Sequence, residues 1–178
     1  MRALVVYESM YGNTHTVALQ VAEGLRAHFD VSVVPVGEAS AAMVAEADLL
    51  VVGGPTHAHG MTRGVTRRAA RDAAASDGQL VLDRDANGPG LREWFAELGD
   101  GRGRIAAAVD TRVAGPALFT GRASKGIAHH LERHGYGVVI EPESFLVDKN
   151  NHLLPGEADR AVAWGDALSA VRVALAKT

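Results

Sequence analysis

Two aliphatic hydroxyls, a phenol, a carboxamide and a glycine fall within six residues at Ser9-Met10-Tyr11-Gly12-Asn13-Thr14. Side chains of these types neither attack nor titrate at neutral pH. They donate hydrogen bonds, and the chemistry they suit is holding an anion. No Lys or Arg lies in the stretch, so the anion is left to backbone amides, hydroxyls and the dipole of a following helix. Gly12 permits a left-handed backbone or a close ligand, and Asn13 is a good N-cap. The spacing matches neither GxxxxGK[ST] nor GxGxxG. The plain alternative is a capped turn without a ligand.

Such a turn needs a strand before it and a helix after it. Ala3-Leu4-Val5-Val6 is an apolar run too short for a helix, and Val17, Val21 and Leu25 follow at helical spacing, with Ala18 and Ala22 beside them. Residues 31–36 read as a second strand, and Pro35 demotes it to a sheet edge. Helical signal over 39–47 leads to a buried strand at Leu49-Leu50-Val51-Val52, ended by Gly53-Gly54-Pro55-Thr56, and a helix is expected over 62–75. Residues 76–90 read as an inserted loop around Leu80-Val81-Leu82. A short helix with Leu91, Trp94, Phe95 and Leu98 comes next, then a fourth strand over 105–109 and a long loop over 110–120. Ala123, Ile127 and Leu131 mark a helix that Gly135 stops. The fifth strand, 138–140 and 144–147, is interrupted at Pro142, and Ala161, Trp164, Leu168, Val171 and Leu175 mark the last helix.

This alternation predicts an α/β fold: a doubly wound five-stranded parallel sheet, order 2-1-3-4-5, with helices on both faces making three layers. One domain over residues 1–178 is expected, since the 47% hydrophobic composition suits one sizeable core. Ligands of such sheets bind beyond the carboxyl ends of strands at the switch point between the first and third strands. That rule points to the loops at 8–14, 54–62 and 110–120.

Ser9 to Thr14 resembles the S/T-x-T-G-N-T phosphate loop of flavodoxins, and the Ser-Met-Tyr-Gly variant is similar to flavodoxin-like NAD(P)H:quinone oxidoreductases. Tyr11 departs from the flavodoxin pattern by placing a phenol where a Thr hydroxyl meets the phosphate. The resemblance implies FMN as cofactor, with Ser9, Met10, Tyr11, Gly12, Asn13 and Thr14 at its phosphate. Gly54-Pro55-Thr56 resembles the G-x-P-T segment that supports one side of the flavin ring, which implies Pro55, Thr56, His57, Ala58, His59 and Gly60 as ring contacts. Flavodoxins place an aromatic residue there, and here the candidates are His57 and His59. The third loop, Asp110-Thr111-Arg112, lacks the Tyr that stacks on the flavin in that family. Arg112 is a candidate for the pyrimidine edge of the flavin, where a cation stabilises the reduced anion. Alternatively, Asp110 and Arg112 form a local ion pair.

A formal charge of −3 argues against general nucleic-acid binding, and the lack of cysteine removes disulfides, iron–sulfur clusters and thiol catalysis. No leader pattern and no membrane span is read, so a cytoplasmic protein is expected. No metal is expected: a metal pair of His57 and His59 at i, i+2 is the alternative reading, but no Cys and no obvious third ligand support it. His129 and His130 are adjacent on a helix and read as one surface and one half-buried histidine. A phosphoacceptor domain is excluded, because Glu8 stands alone and the third strand ends in glycines. Three functions remain. The chain passes electrons or reduces a small acceptor through FMN, it is an NAD(P)H-dependent quinone reductase, or it is a flavin-binding regulatory domain without turnover. Partners follow accordingly: FMN, with NAD(P)H or a redox protein. Arg63, Arg67, Arg68 and Arg71 against Asp72 set residues 57–75 apart from the acidic surroundings of the flavin in electron carriers.

Overall fold

The computed structural model describes residues 1–76 and 80–175. Five parallel ladders build the main sheet. β1 (Arg2–Tyr7) lies between β2 (Asp30–Pro35) and β3 (Leu49–His57). β5 (Ile105–Val113) lies beyond β3, and its far edge is shared by the short β6 (Gly137–Val138) and β7 (Glu143–Val147). β6 and β7 are the two halves of the interrupted fifth strand, so the order is the expected one and Pro35 stands on an edge strand. The addition is β4 (Gly60–Met61), which turns back antiparallel on the end of β3.

Strand periodicity of two sorts side chains between two cores. Ala3, Val5 and Tyr7 face α1 (Asn13–Leu25) and α7 (Glu157–Leu175), packing with Val17, Val21, Trp164 and Leu168. Leu4 and Val6 face the other layer, packing with Trp94 and Phe95 of α4 (Leu91–Glu97) and Ile127 and Leu131 of α6 (Ala123–Arg133). Both faces of β1 are therefore buried, which is why its sequence does not alternate. The remaining helices are α2 (Ala41–Glu46), α3 (Gly64–Ser76) and a single turn, α5 (Ala117–Thr120). Among the described residues, no helix is long and apolar enough to cross a membrane.

Three boundaries differ from the sequence reading. β3 runs on through Gly54, Pro55 and Thr56 to His57, because β5 pairs with it as far as Pro55↔Thr111 and β4 pairs with its tip. β5 continues to Val113, so Asp110, Thr111 and Arg112 are strand residues rather than the start of a long loop. Their partner is β7, in register from Val109↔Glu143 to Val113↔Val147. The polar run hid this strand because the ladder, not apolar burial, holds it extended. Finally, Gly12 and not Asn13 occupies the cap position of α1. Of the inserted stretch, residues 77–79 lie outside the described residues, and Leu80-Val81-Leu82 is not a strand.

Candidate functional site

The carboxyl ends of β1, β3 and β5 come together at one edge of the sheet, and the turn from β1 into α1 closes one side of the cleft there. Gly12 takes φ 89°, a left-handed geometry that favours glycine. Its amide donates to Ser9 Oγ at 3.0 Å, which tightens the loop. The first hydrogen bond of the helical pattern runs from Thr16 N to Gly12 O at 2.9 Å, and no side chain caps α1. The amides of the first turn are thus left without the intrahelical acceptors that later residues have.

The neighbouring side chains are held by contacts across the fold. Thr14 Oγ1 lies 2.7 Å from Thr111 Oγ1, a buried pair joining α1 to β5. Asn13 Nδ2 donates to Asn151 O at 2.8 Å, so its carboxamide reaches across to the segment after β7 instead of capping the helix. Tyr11 Oη donates to Ala70 O on α3 at 2.9 Å, which turns the phenol away from the loop amides. Met10 is buried against Ala70 and Ala86, and its carbonyl accepts from Asp83 N at 2.8 Å. The insertion therefore backs the turn from outside.

A cleft of about 380 Å³ opens beside this turn, lined by Ser9, Met10, Tyr11, Asn13, Thr14, Pro55, Thr56, His57, Ala58, Thr111 and Arg112. Gly12 lies within the turn itself. His59 and Gly60 do not line the cleft; they line an adjoining pocket of about 480 Å³, shared through His57 and Ala58. Ala58 (φ 47°) and His59 (φ 71°) form the two-residue turn joining β3 to β4, which leaves His59 exposed and His57 half-buried. Burial holds the His57 imidazole below its ordinary pKa, favouring the neutral ring.

Asp110 is fully buried and does not line the cleft. Its Oδ2 accepts from Ser124 N at 2.6 Å, while Thr56 Oγ1 accepts from Ala123 N at 2.8 Å. Arg122, at the cap position of α6, makes no capping bond. Two strand residues do that work instead, locking the β3 and β5 ends to α6. Burial pushes the Asp110 carboxyl above the usual carboxylate range, and its Oδ1 accepts no hydrogen bond. The local ion pair with Arg112 does not form. Arg112 Nη1 donates to Gly115 O at 2.8 Å and Thr120 Oγ1 at 2.9 Å, tying the segment before α6 to β5. His129 is exposed and His130 half-buried against Phe95, as read from the sequence.

Sequence reasoning missed Leu80, Val113, Val147, Asp148, Lys149 and Asn151, all of which line the cleft. Asp148-Lys149-Asn150-Asn151 follows β7, with Asp148 Oδ1 accepting from Asn150 N and His152 N and Asn151 at φ 65°. The signal was available: four polar, turn-forming residues follow a strand at the same sheet edge. Lys149 brings a cation to the cleft that the Ser9–Thr14 loop lacks.

Residues 5–80 match the flavodoxin family model. No curated protein sequence matches the chain. Among solved structures, a flavodoxin from the domain Archaea superposes with a TM-score of 0.65 at 19% identity, over 97% of this chain and 99% of that one. The flavodoxin of Streptococcus pneumoniae TIGR4 gives 0.66 at 21% identity, over 96% and 99%. The flavodoxin, WrbA-like protein of Agrobacterium tumefaciens gives 0.60 at 19% identity, over 96% of each. The flavodoxin sequence pattern thus covers residues 5–80, and over nearly its whole length the chain has a flavodoxin-like fold.

Proposed function

We propose that the cleft binds FMN and that the protein transfers electrons, or reduces a small acceptor, through it. The observation that carries this reading is the uncapped first turn of α1, opening at the cleft from a glycine with positive φ. The donor set fits a phosphate: main-chain amides of residues 11–14, the hydroxyls of Ser9 and Thr14, and Lys149 as a nearby cation. Tyr11, the one departure from the flavodoxin phosphate-loop pattern, offers no obstacle because its phenol is held by Ala70. The volume lies in the range of small-molecule sites. Pro55, Thr56, His57 and Ala58 on one side, and Thr111, Arg112 and Val113 on the other, would hold the ring. When bound, FMN supplies one- or two-electron chemistry. The residues of this chain bind it, orient it and limit water around it.

Calorimetric titration of flavin-free protein tests the reading. One FMN per chain is expected, bound far better than AMP, with Thr14→Asp weakening it by at least about tenfold, since a carboxylate about 4 Å from a phosphate charge opposes binding by about 4 kcal/mol at an effective dielectric of 20. FMN binding no tighter than AMP defeats the proposal.

A second reading, an NAD(P)H-dependent quinone reductase, is favoured by the adjoining pocket. It shares His57 and Ala58 with the cleft and brings Arg63 and Arg92 beside Met61, Val65 and Ala69. Cations beside an apolar floor suit a flat anionic acceptor or a nicotinamide dinucleotide. Stopped-flow reduction of the loaded protein by NADPH, with and without a quinone, separates the two; no nicotinamide-dependent reduction leaves the carrier reading.

A further inference from the structure

Outside the cleft, the start of α1 and the insertion place three ligand-type side chains together. His15, Asp83 and Asp85 each offer an atom within 4.8 Å of the others. His15 is held flat against the Tyr7 ring, centroids 4.4 Å apart and planes 14° apart, with Nδ1 3.3 Å from Asp83 Oδ2. Tyr7 Oη donates to Asp85 Oδ2 at 3.0 Å, and Arg84 Nε to the same oxygen at 3.0 Å. The Asp83 side chain is only 3% exposed, yet no Lys or Arg among the described residues pairs with it. A buried carboxylate without a cation is costly.

We infer that His15, Asp83 and Asp85 form a binding site for a first-row divalent transition metal of the Zn²⁺ class, with water completing the coordination. One imidazole and two carboxylates suit such an ion better than Mg²⁺ or Ca²⁺, which prefer oxygen alone. A tetrahedral ion with bonds of about 2.1 Å spaces its ligands about 3.4 Å apart, so the side chains draw in by no more than about 1.4 Å. Tyr7 and Arg84 orient Asp85 from behind, as outer partners of metal ligands do. The ion fastens the insertion to the first turn of α1. This site is independent of the flavin reading, because its ligands are not those of the cleft.

The test is calorimetric titration of metal-stripped protein with Zn²⁺, with Mg²⁺ in parallel. One Zn²⁺ per chain is expected, with affinity reduced at least about tenfold in His15→Ala and in Asp83→Asn and unchanged in His152→Ala. Zn²⁺ is also expected to raise the melting temperature of the wild type but not of His15→Ala. If Asp83→Asn fails to fold, Asp85→Asn replaces it. A cluster that only staples the insertion through hydrogen bonds gives no stoichiometric binding. That result, or Zn²⁺ affinity equal to the wild type in both His15→Ala and the Asp variant, overturns the inference.

Discussion

Gly165→Ala is the sharpest test of how the cleft is positioned, because two effects oppose each other in sign. Gly165 lies inside α7, where alanine is a better helix former than glycine by about 1 kcal/mol. Propensity alone therefore predicts a more stable protein. The packing of α7 on α1 predicts the opposite. A Cβ on Gly165 falls 2.3 Å from Val21 O and 3.1 Å from Val21 C, both main-chain atoms of α1. On the facing helix, a Cβ on Gly24 falls 2.1 Å from Val162 O. Main chain inside a helix has no rotamer to change, so the helices must separate by about an ångström to reach ordinary contact. Overpacking of this kind costs about 1–3 kcal/mol. The absence of a flexible neighbour places the cost at the upper end. Net destabilisation of about 2 kcal/mol is expected, a fall in melting temperature of about 4–8 °C for a chain of this size. Because α1 carries the Gly12–Thr14 turn, FMN affinity should fall with it, although Gly165 does not line the cleft. Urea unfolding followed by circular dichroism gives the stability and a flavin titration the affinity. A variant as stable as the wild type, or more so, refutes the reasoning.

Asp110→Asn should remove a pH dependence. Burial raises the Asp110 pKa above its ordinary 3.8, so the folded state holds a proton that the unfolded state has released. Its contribution is largest below the unfolded value and is lost as pH rises from about 4 through the raised one. Relative to Asp110→Asn, the wild type should lose stability across that window, and a urea-midpoint difference that is flat or opposite in sign counts against it. Replacing Ala58-His59 with Asn-Gly suits two positive-φ positions. It should stabilise by about 0.5–1 kcal/mol, read as a higher melting temperature; a lower one speaks against the turn. Arg112→Ala releases Gly115 and Thr120 from β5, so limited proteolysis should cut within residues 114–121 faster than in the wild type. An unchanged rate shows the segment is held by other contacts.

The sequence by itself determined the fold and the donor-rich turn from β1 into α1, because both rest on local chemistry. Apolar runs too short for helices, alternating with 3.6-residue periodicity, require a covered parallel sheet, and Pro35 assigns an edge. Gly12 between a strand and a helix, with Ser9 and Thr14 beside it, marks a donor turn without any knowledge of the rest. What Tyr11 does was not local: Ala70, 59 residues away, takes its hydroxyl and turns the phenol out of the cradle. Thr56 and Asp110 are polar residues after apolar runs and read equally well as ligand contacts or as caps. Only the arrival of α6 between them shows that both accept its first amides. The metal-type cluster joins residues 68 apart through an insertion without helical or strand periodicity, and Lys149 enters the cleft because β7 ends at the same edge as β1 and β3. Periodicity and turn chemistry are properties of neighbours along the chain. Which distant groups meet at a sheet edge follows from ladder register and helix docking, and these are decided only when the whole sheet is assembled.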